Sequence, residues 1–326
     1  NIPLPSSEET SSPLDLPAVK RNTMYLPVSI GNCFTPQSLG PSTVRPVSSS
    51  PILYQFVTYR ATPLQNPWQS YTIFKNKRKG PDKMKLLIVR HGDPDYSIDS
   101  LTEKGWREAH YLADRLTKTP ADFYYCSPLG RAQDTARETM ERLHRSYEVL
   151  PWLREFQTAI HRPDVPDRLM NCWDWLPGDW AEVPEFHRQA DWLTDPAMEE
   201  GNVRREYDWV ISGLDELLLR HGYRREGNLY KVEQGNNDAI VLFCHFGVES
   251  VLLSRLINLP PMLIWHGMAA APTSVTTVVT EERREGTAYF RMTAFGDTSH
   301  LYANGEPPAF AARFVEKWGN PGERVD

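Results

Sequence analysis

Several things are scarce in this 326-residue chain, and each scarcity removes a class of protein. There is no basic excess: 36 Lys and Arg face 42 Asp and Glu, for a formal net charge of −6. General nucleic-acid binders carry a basic surplus that neutralises phosphates, so that class is set aside. A small anionic substrate is not excluded, because a local basic pocket does not require a basic protein. Cysteine is rare, with only Cys33, Cys126, Cys172 and Cys244. None falls in a Cys-x-x-Cys or Cys/His zinc spacing. Carboxylate clusters of the magnesium-binding kind are not evident either, so no metal and no cofactor is expected. Cys126 and Cys244 each end an apolar run, which reads as a buried reduced thiol. This usage fits a reducing cytoplasm. No apolar stretch reaches the roughly 18 to 20 residues of a membrane-spanning helix. The amino end lacks a basic segment followed by an apolar one. The expectation is a cytoplasmic protein without a membrane partner; the sequence is silent on oligomeric state.

What is present divides unevenly. Residues 1–83 hold recurring prolines from Pro3 to Pro81 and serine clusters such as Ser48-Ser49-Ser50. They show no sustained period of 3.6 or 2 and close on the basic run Lys75 to Gly80. This leader reads as disordered or weakly ordered, with Ile52 to Tyr59 as one short strand. Met84 begins an apolar run and looks like a natural domain start, whereas residue 1 is Asn. The leader therefore has two expected origins: an extension upstream of the native start, or a tail that binds a partner. Residues 84–326 read as one domain.

Within that domain, strand and helix patterns alternate. Lys85 to Val89 reads as a buried strand. Thr102 to Thr117 reads as a helix with Trp106, Ala109, Leu112, Ala113 and Leu116 on its apolar face. Its cap is either Thr102 or Ser100, the latter paired with Glu103. Ala121 to Cys126 is the next strand, Arg131 to Arg145 the next helix and Tyr147 to Leu150 a short strand. Val203 to Leu219 is a long amphipathic helix, Ala239 to Cys244 a strand and Gly247 to Ile257 a helix. Ser274 to Thr280 and Ala288 to Thr293 close the series as a hairpin around Glu281 to Gly286. This order predicts an α/β fold: a three-layer α/β/α sandwich with a mostly parallel sheet. About residues 156–202 break the rhythm with Trp173, Trp175, Trp180, Trp192 and five prolines. They read as an insertion that either caps a pocket or fills a minor core. In the first case Trp173, Trp175, His161 and Arg162 would shape substrate choice. His266 would approach the pocket or, more simply, serve the structure.

Chemistry concentrates at predicted strand ends. Arg90-His91-Gly92 comes directly after one buried run, and His245-Phe246-Gly247 after another. Arg131 succeeds the turn Ser127-Pro128-Leu129-Gly130 after a third. Ligands of open α/β sheets bind beyond the carboxyl ends of strands. Glycine there lets backbone approach an anion, and a helix starting near Gly247 would aim free N–H groups at it. A guanidinium holds phosphate oxygens bidentately. Two histidines and two arginines at one point make a site for a tetrahedral dianion. Taken singly, each has a structural alternative, a satisfied histidine or a surface arginine. Four at equivalent strand ends weaken those alternatives together.

These motifs carry a resemblance. Leu87-Ile88-Val89-Arg90-His91-Gly92, Leu101-Thr102-Glu103-Lys104-Gly105-Trp106 and the Ser-Pro-x-x-Arg-Ala-x-x-Thr-Ala pattern from Ser127 to Ala136 resemble the histidine phosphatase superfamily. That family has the phosphoglycerate-mutase-like fold. The resemblance spans Met84 to about Tyr302. It implies that His91 is the nucleophile that becomes a phosphohistidine. Arg90, Gly92, Arg131 and His245 would bind the phosphoryl group, with His245 also catalytic. The family places its proton donor after the strand that succeeds the second arginine helix, which puts Glu155 in that role. Glu155 could instead pair with Arg154. Asp93 and Asp95 are competing donors, and Asp174 and Asp179 weaker ones. After Arg-His-Gly the chain reads Asp93-Pro94-Asp95, which departs from the mutase continuation. The implied activity is that of a histidine acid phosphatase-like phosphoric monoester hydrolase acting on a small phosphorylated substrate. The alternatives are a phosphoglycerate-type phosphomutase and a catalytically weak relative that binds phospho-ligands.

Overall fold

Two apolar runs dictate the centre of the fold. Leu86–Val89 and Ile240–Cys244 contain no polar side chain, so strands made of them must be covered on both faces. The computed structural model describes residues 83–310 and 318–319, all within one compact unit, Lys75–Asp326. The leader expected over 1–83, with its short strand, lies outside the described residues apart from Lys83. Eight strands form the main sheet: β1 (Lys85–Arg90), β2 (Phe123–Cys126), β3 (Glu148–Val149), β4 (Tyr223–Glu226), β5 (Leu229–Val232), β6 (Ala239–Cys244), β7 (Val275–Arg284) and β8 (Thr287–Asp297). Their order is β3-β2-β6-β1-β7-β8-β5-β4. From β3 to β1 neighbours run parallel; from β1 to β4 they run antiparallel. The parallel half holds both apolar runs, side by side at the centre.

Helices cover both faces, as the alternation predicts. They include α1 (Glu103–Leu116), α2 (Gly130–Leu143), α3 (Val203–Arg220) and α4 (Phe246–Ile257). Successive strand residues point to opposite faces. Leu87, Val89, Val241 and Phe243 therefore meet Leu112 and Leu116 of α1 and Ala132, Ala136 and Met140 of α2. Leu86, Ile88, Ile240 and Leu242 share the opposite core with Leu214 and Leu217 of α3 and Val251 and Leu252 of α4. The result is the expected three-layer α/β/α arrangement around a mixed sheet.

The structure selects Thr102 as the cap of α1: its hydroxyl accepts from Gly105 N at 3.0 Å. Trp106, expected on the buried face, is 37% exposed, under the Arg137 guanidinium at 5.2 Å. The face instead buries Glu108, whose two oxygens accept from Asp93 N at 2.9 Å and Ala309 N at 2.8 Å. A buried carboxyl is tolerated when such donors satisfy it. The hairpin β4–β5 adds a pair of strands beyond those the sequence pattern predicts. Its signal is Gly227-Asn228, a two-residue turn between short strands, with Gly227 at φ +57°. In the insertion, Ala159–Arg162 pairs with Val165–Asn171, and short helical turns come next. Trp173, Trp175 and Trp192 are buried in the same core as α3 and α4 rather than in a separate minor one.

Candidate active site

Parallel register sets the site. Arg90 lies opposite Cys244, and Cys126 opposite Phe243, so β1, β2 and β6 end at one edge. His91, His245 and the Ser127–Arg131 turn therefore meet beyond it. The two imidazoles approach to 5.0 Å between centroids. Both are buried.

Backbone contacts fix the His91 ring. Its Nδ1–H donates to the Gly92 carbonyl at 2.7 Å, which leaves the lone pair on Nε2. Burial, then the nearby Arg90 and Arg131 charges, hold the imidazole well below the usual histidine range. That shift favours the neutral form of the ring. Gly92 acts differently from expectation. Its N–H donates to Thr135 Oγ1 at 2.9 Å, while that hydroxyl donates to the Arg131 carbonyl at 2.7 Å. Gly92 thus serves by orienting His91 and by allowing α1 to approach. A Cβ there would stand 2.9 Å from Gly105 O, and one on Gly105 would stand 2.2 Å from Asp93 O.

His245 caps the start of α4. Its Nε2 bonds Ser127 Oγ at 2.7 Å, and Ser127 Oγ accepts from Leu129 N at 3.2 Å. The hydroxyl keeps a second acceptor lone pair, so this contact fits either tautomer of the His245 ring. His245 Nδ1 is buried with no protein partner among the described residues. Burial, then His91, Arg131 and Arg90, keep this ring well below the usual range too. Ser127 stands inside the motif that flags Arg131, yet only the folded chain shows what it bonds.

Arg90 and Arg131 enter from two strand ends. Arg90 donates through Nη1 to the Ala270 carbonyl and lies over the Phe246 ring at 5.8 Å. Arg131 lies over Tyr96 at 5.4 Å and pairs through Nη1 with Asp99 Oδ1 at 2.6 Å. Its Nε is buried without a partner among the described residues. Asp99 also accepts from Gly130 N at 2.7 Å, so one carboxylate sets the start of α2 and the guanidinium together. Asp99 carries no signal in the sequence.

Glu155 is buried beside the first turn of α4. Its Oε1 accepts from Phe156 N at 2.8 Å and Val248 N at 3.1 Å. The α4 amide thus goes to a carboxyl rather than to an anion directly. Burial raises the carboxyl above its ordinary value; the two N–H donors, Arg131 and Arg90 oppose that rise. The remaining oxygen, Oε2, is the one available to carry a proton. A Cβ on Gly247 would stand 2.6 Å from Oε1, so any larger residue there would displace the Glu155 carboxyl. Arg154 is engaged elsewhere, with Glu206 at 2.7 Å and the Trp209 ring at 5.0 Å.

A pocket opens at this edge, lined by Arg90, Tyr96, Glu155 and Phe246 and by Asn171, Trp173 and Asp174 from the insertion. The competing carboxylates are committed to other groups. Asp93 accepts from the Thr102 hydroxyl at 2.7 Å. Asp95 accepts from Ser97 N and Oγ at 3.0 and 2.6 Å, bonds that hold it below the usual carboxylate range. His161 pairs with Glu200 at 3.1 Å. Trp175 lies in the core, and its backbone N–H donates to His266 Nε2 at 3.0 Å. His266 in turn donates from Nδ1 to the Met262 carbonyl at 2.7 Å, and burial pushes it down to about 4. It is a neutral link between the insertion and the segment Pro261–Gly267. Among the described residues no group of three or more His, Cys, Asp or Glu side chains is placed to hold a metal ion. No helix among them is long and apolar enough to cross a membrane.

Fold and site together define a class: an α/β protein with histidines and arginines gathered at its strand ends. Residues 86–200 match the model of the histidine phosphatase superfamily (branch 1), so this stretch of the chain is similar to that superfamily. The chain is 27% identical over 201 residues to the adenosylcobalamin/alpha-ribazole phosphatase of Salmonella typhimurium (strain LT2), covering 56% of this chain and 84% of that protein. It is 25% identical over 158 residues to 2,3-bisphosphoglycerate-dependent phosphoglycerate mutase 1 of Arabidopsis thaliana, covering 43% of this chain and 47% of that protein. Among solved structures, phosphoserine phosphatase from Entamoeba histolytica in complex with 3-phosphoglyceric acid aligns at 19% identity and a TM-score of 0.44. That alignment covers 67% of this chain and 99% of the other.

Proposed function

We propose that this protein hydrolyses a small phosphomonoester through a phosphohistidine on His91. His91 Nε2 donates its lone pair to phosphorus, and the bond from phosphorus to the ester oxygen breaks. The departing alkoxide takes a proton from Glu155 Oε2. Water then attacks the phosphohistidine, losing its proton to the Glu155 carboxylate. The P–N bond breaks, its electron pair returns to Nε2 and inorganic phosphate leaves. Arg90, Arg131 and His245 hold the phosphoryl oxygens and stabilise the charge that grows in the transition state. The arginines supply the positive charge, so this reading requires no metal.

One observation carries the proposal. His91 is held neutral by burial and two guanidinium groups, with Nδ1 bonded to Gly92 and Nε2 left as the nucleophile. Hydrolysis is favoured over mutase chemistry because the loop after Gly92 is Asp93-Pro94-Asp95, with both carboxylates bonded within their own loop and cap. The test is turnover of an aryl phosphate without added metal, with acid-stable and acid-labile phosphoprotein measured after rapid quench. An acid-labile phosphoenzyme that His91→Ala abolishes, together with phosphate release, is the expected result. Equal rates for the two proteins refute His91 as nucleophile. Ligand binding without turnover by either would leave a phospho-ligand-binding protein.

A further inference from the structure

Arg90 and His91 are held from the antiparallel half of the sheet as well as from the parallel half. The ladder between β1 and β7 ends where Val89 faces Val275, and the segment just before β7 continues the contact. Ser274 O accepts from Arg90 N at 3.1 Å, and Thr273 N donates to His91 O at 3.1 Å. Ala270 O accepts from Arg90 Nη1. The stretch from Ala270 to Ser274 thus meets the main chain of both residues and the guanidinium of one.

That stretch contains a turn in a costly conformation. Ser274 N donates to Ala271 O at 3.0 Å. Pro272 takes the second position of the turn, and Thr273 in the third has φ +58°. A proline followed by a positive φ is the order of a type II turn, whose third position calls for Gly or Asn. L-residues pay a steric penalty in the left-handed region, and a β-branched residue there is an outlier. Such a conformation persists only where its surroundings over-determine it.

The Thr273 side chain, fully buried, supplies that constraint. Its Oγ1 donates to the Pro272 carbonyl at 2.7 Å. Toward His300 Nε2, 3.1 Å away, the same oxygen can then only accept, so Nε2 carries the histidine proton. His300 Nδ1 turns its lone pair to Arg115 Nη1 at 3.5 Å. Arg115, on α1, is anchored on Asp297 through Nη2 to Oδ2 at 2.8 Å and through Nη1 to the carbonyl at 3.2 Å. Burial, then the Arg115 charge, pushes His300 down to about 4, in keeping with this neutral tautomer. His300 is buried in the short helix Ser299–Tyr302, directly after β8. A chain of contacts therefore runs from α1 through Arg115, His300 and Thr273 to the His91 carbonyl.

We infer that Thr273 and His300 are positioning residues: the bond between them holds the left-handed turn that aims His91 and Arg90 for phosphoryl transfer. This role rests on the hydrolase reading above. The measurement is the rate of acid-labile phosphoenzyme formation from saturating 4-nitrophenyl phosphate, taken by rapid quench below each variant's thermal midpoint. Thr273→Ala removes the hydroxyl but keeps a Cβ at the positive φ, and its rate should fall about tenfold to hundredfold, as for a misaligned nucleophile. Thr273→Ser keeps the hydroxyl and should stay within about threefold of wild type. Thr273→Gly also lacks the hydroxyl but takes a positive φ without steric cost, so it too should stay within about threefold. Lost packing volume predicts the opposite order for Gly and Ala. His300→Phe should slow the wild type as Thr273→Ala does and add nothing in the Thr273→Gly background; it carries the test should Thr273→Ala not fold. A Thr273→Ala rate equal to wild type, a Thr273→Gly rate no higher than that of Thr273→Ala, or equal loss from His300→Phe in both backgrounds overturns the inference and leaves the hydrolase reading intact. No acid-labile phosphoenzyme from the wild type overturns both.

Discussion

Glu155→Gln separates the roles assigned at the site more sharply than any other change. The amide oxygen of Gln can still accept from Phe156 N and Val248 N, now at 2.8 and 3.1 Å from Oε1. The substitution therefore removes the proton and little else. General acid help is worth about 10² to 10⁴ in rate, or about 3 to 5 kcal/mol of barrier. That loss is expected in kcat/KM for an alkyl phosphate, whose alkoxide must be protonated as it leaves. For 4-nitrophenyl phosphate the leaving group is stable as an anion, so kcat/KM should fall much less. Its kcat should still fall, because water then lacks its base, and the phosphoenzyme should accumulate. On the proposed mechanism the acid form acts in the first step, and burial raises that carboxyl above its ordinary value. The alkaline limb of the alkyl-ester profile should therefore lie above ordinary carboxylate titration and vanish in the variant. Stability gives a control with a definite sign. A carboxyl raised on folding contributes stability that is lost as pH rises through its folded pKa. Glu155→Gln should consequently not lower the thermal midpoint at neutral pH. Steady-state and quenched-flow kinetics on the two esters are the assay. Equal loss on both, or an alkyl-ester kcat/KM within about threefold of wild type, would refute Glu155 as the acid.

The same geometry sets three further outcomes. Ser127→Ala leaves His245 Nε2 buried without its 2.7 Å partner; kcat/KM should fall by roughly 5- to 150-fold, the range for an unsatisfied buried polar group. A folded variant with unchanged kinetics and unchanged inhibition by inorganic phosphate would exclude that positioning role. Gly105→Ala sets a Cβ 2.2 Å from Asp93 O. It should cost about 1 to 3 kcal/mol in urea denaturation, and activity should fall with it as the loop after His91 shifts. Glu108 and Glu249 are buried carboxyls, each pushed up to about 7 by desolvation. Their contribution to stability is present below ordinary glutamate titration and lost as pH rises through about 7, so unfolding free energy should decline from about pH 5 to about pH 8. Glu249→Gln should flatten that decline, and a slope identical to wild type would show that Glu249 does not titrate in this window.

Much of this protein is legible in one dimension, for physical reasons. Uninterrupted apolar runs at Leu86–Val89 and Ile240–Cys244 have only one stable setting, a strand covered on both faces. That setting brings the residues just past each run to the same sheet edge. Arg90, His91, Arg131 and His245 are thus identifiable from the chain itself, because local pattern and a single topological rule place them together. The Thr102 cap of α1 and the amphipathic character of α1 and α3 are similarly local. Burial of Glu108 in place of Trp106 is not legible, since it depends on amides contributed by Asp93 and Ala309. Nor is the pairing of Asp99 with Arg131, a contact across 32 positions made by a residue with left-handed backbone.

The sandwich, the strand ends and the four residues that meet there are written in the order of amino acids, because periodicity and chain direction act over short range. Only folding establishes which neighbours each histidine nitrogen bonds, which oxygen of Glu155 accepts backbone N–H groups, and that Arg162 is paired with Asp164. Those properties depend on hydrogen bonds and burial in the folded chain, and no local pattern encodes them.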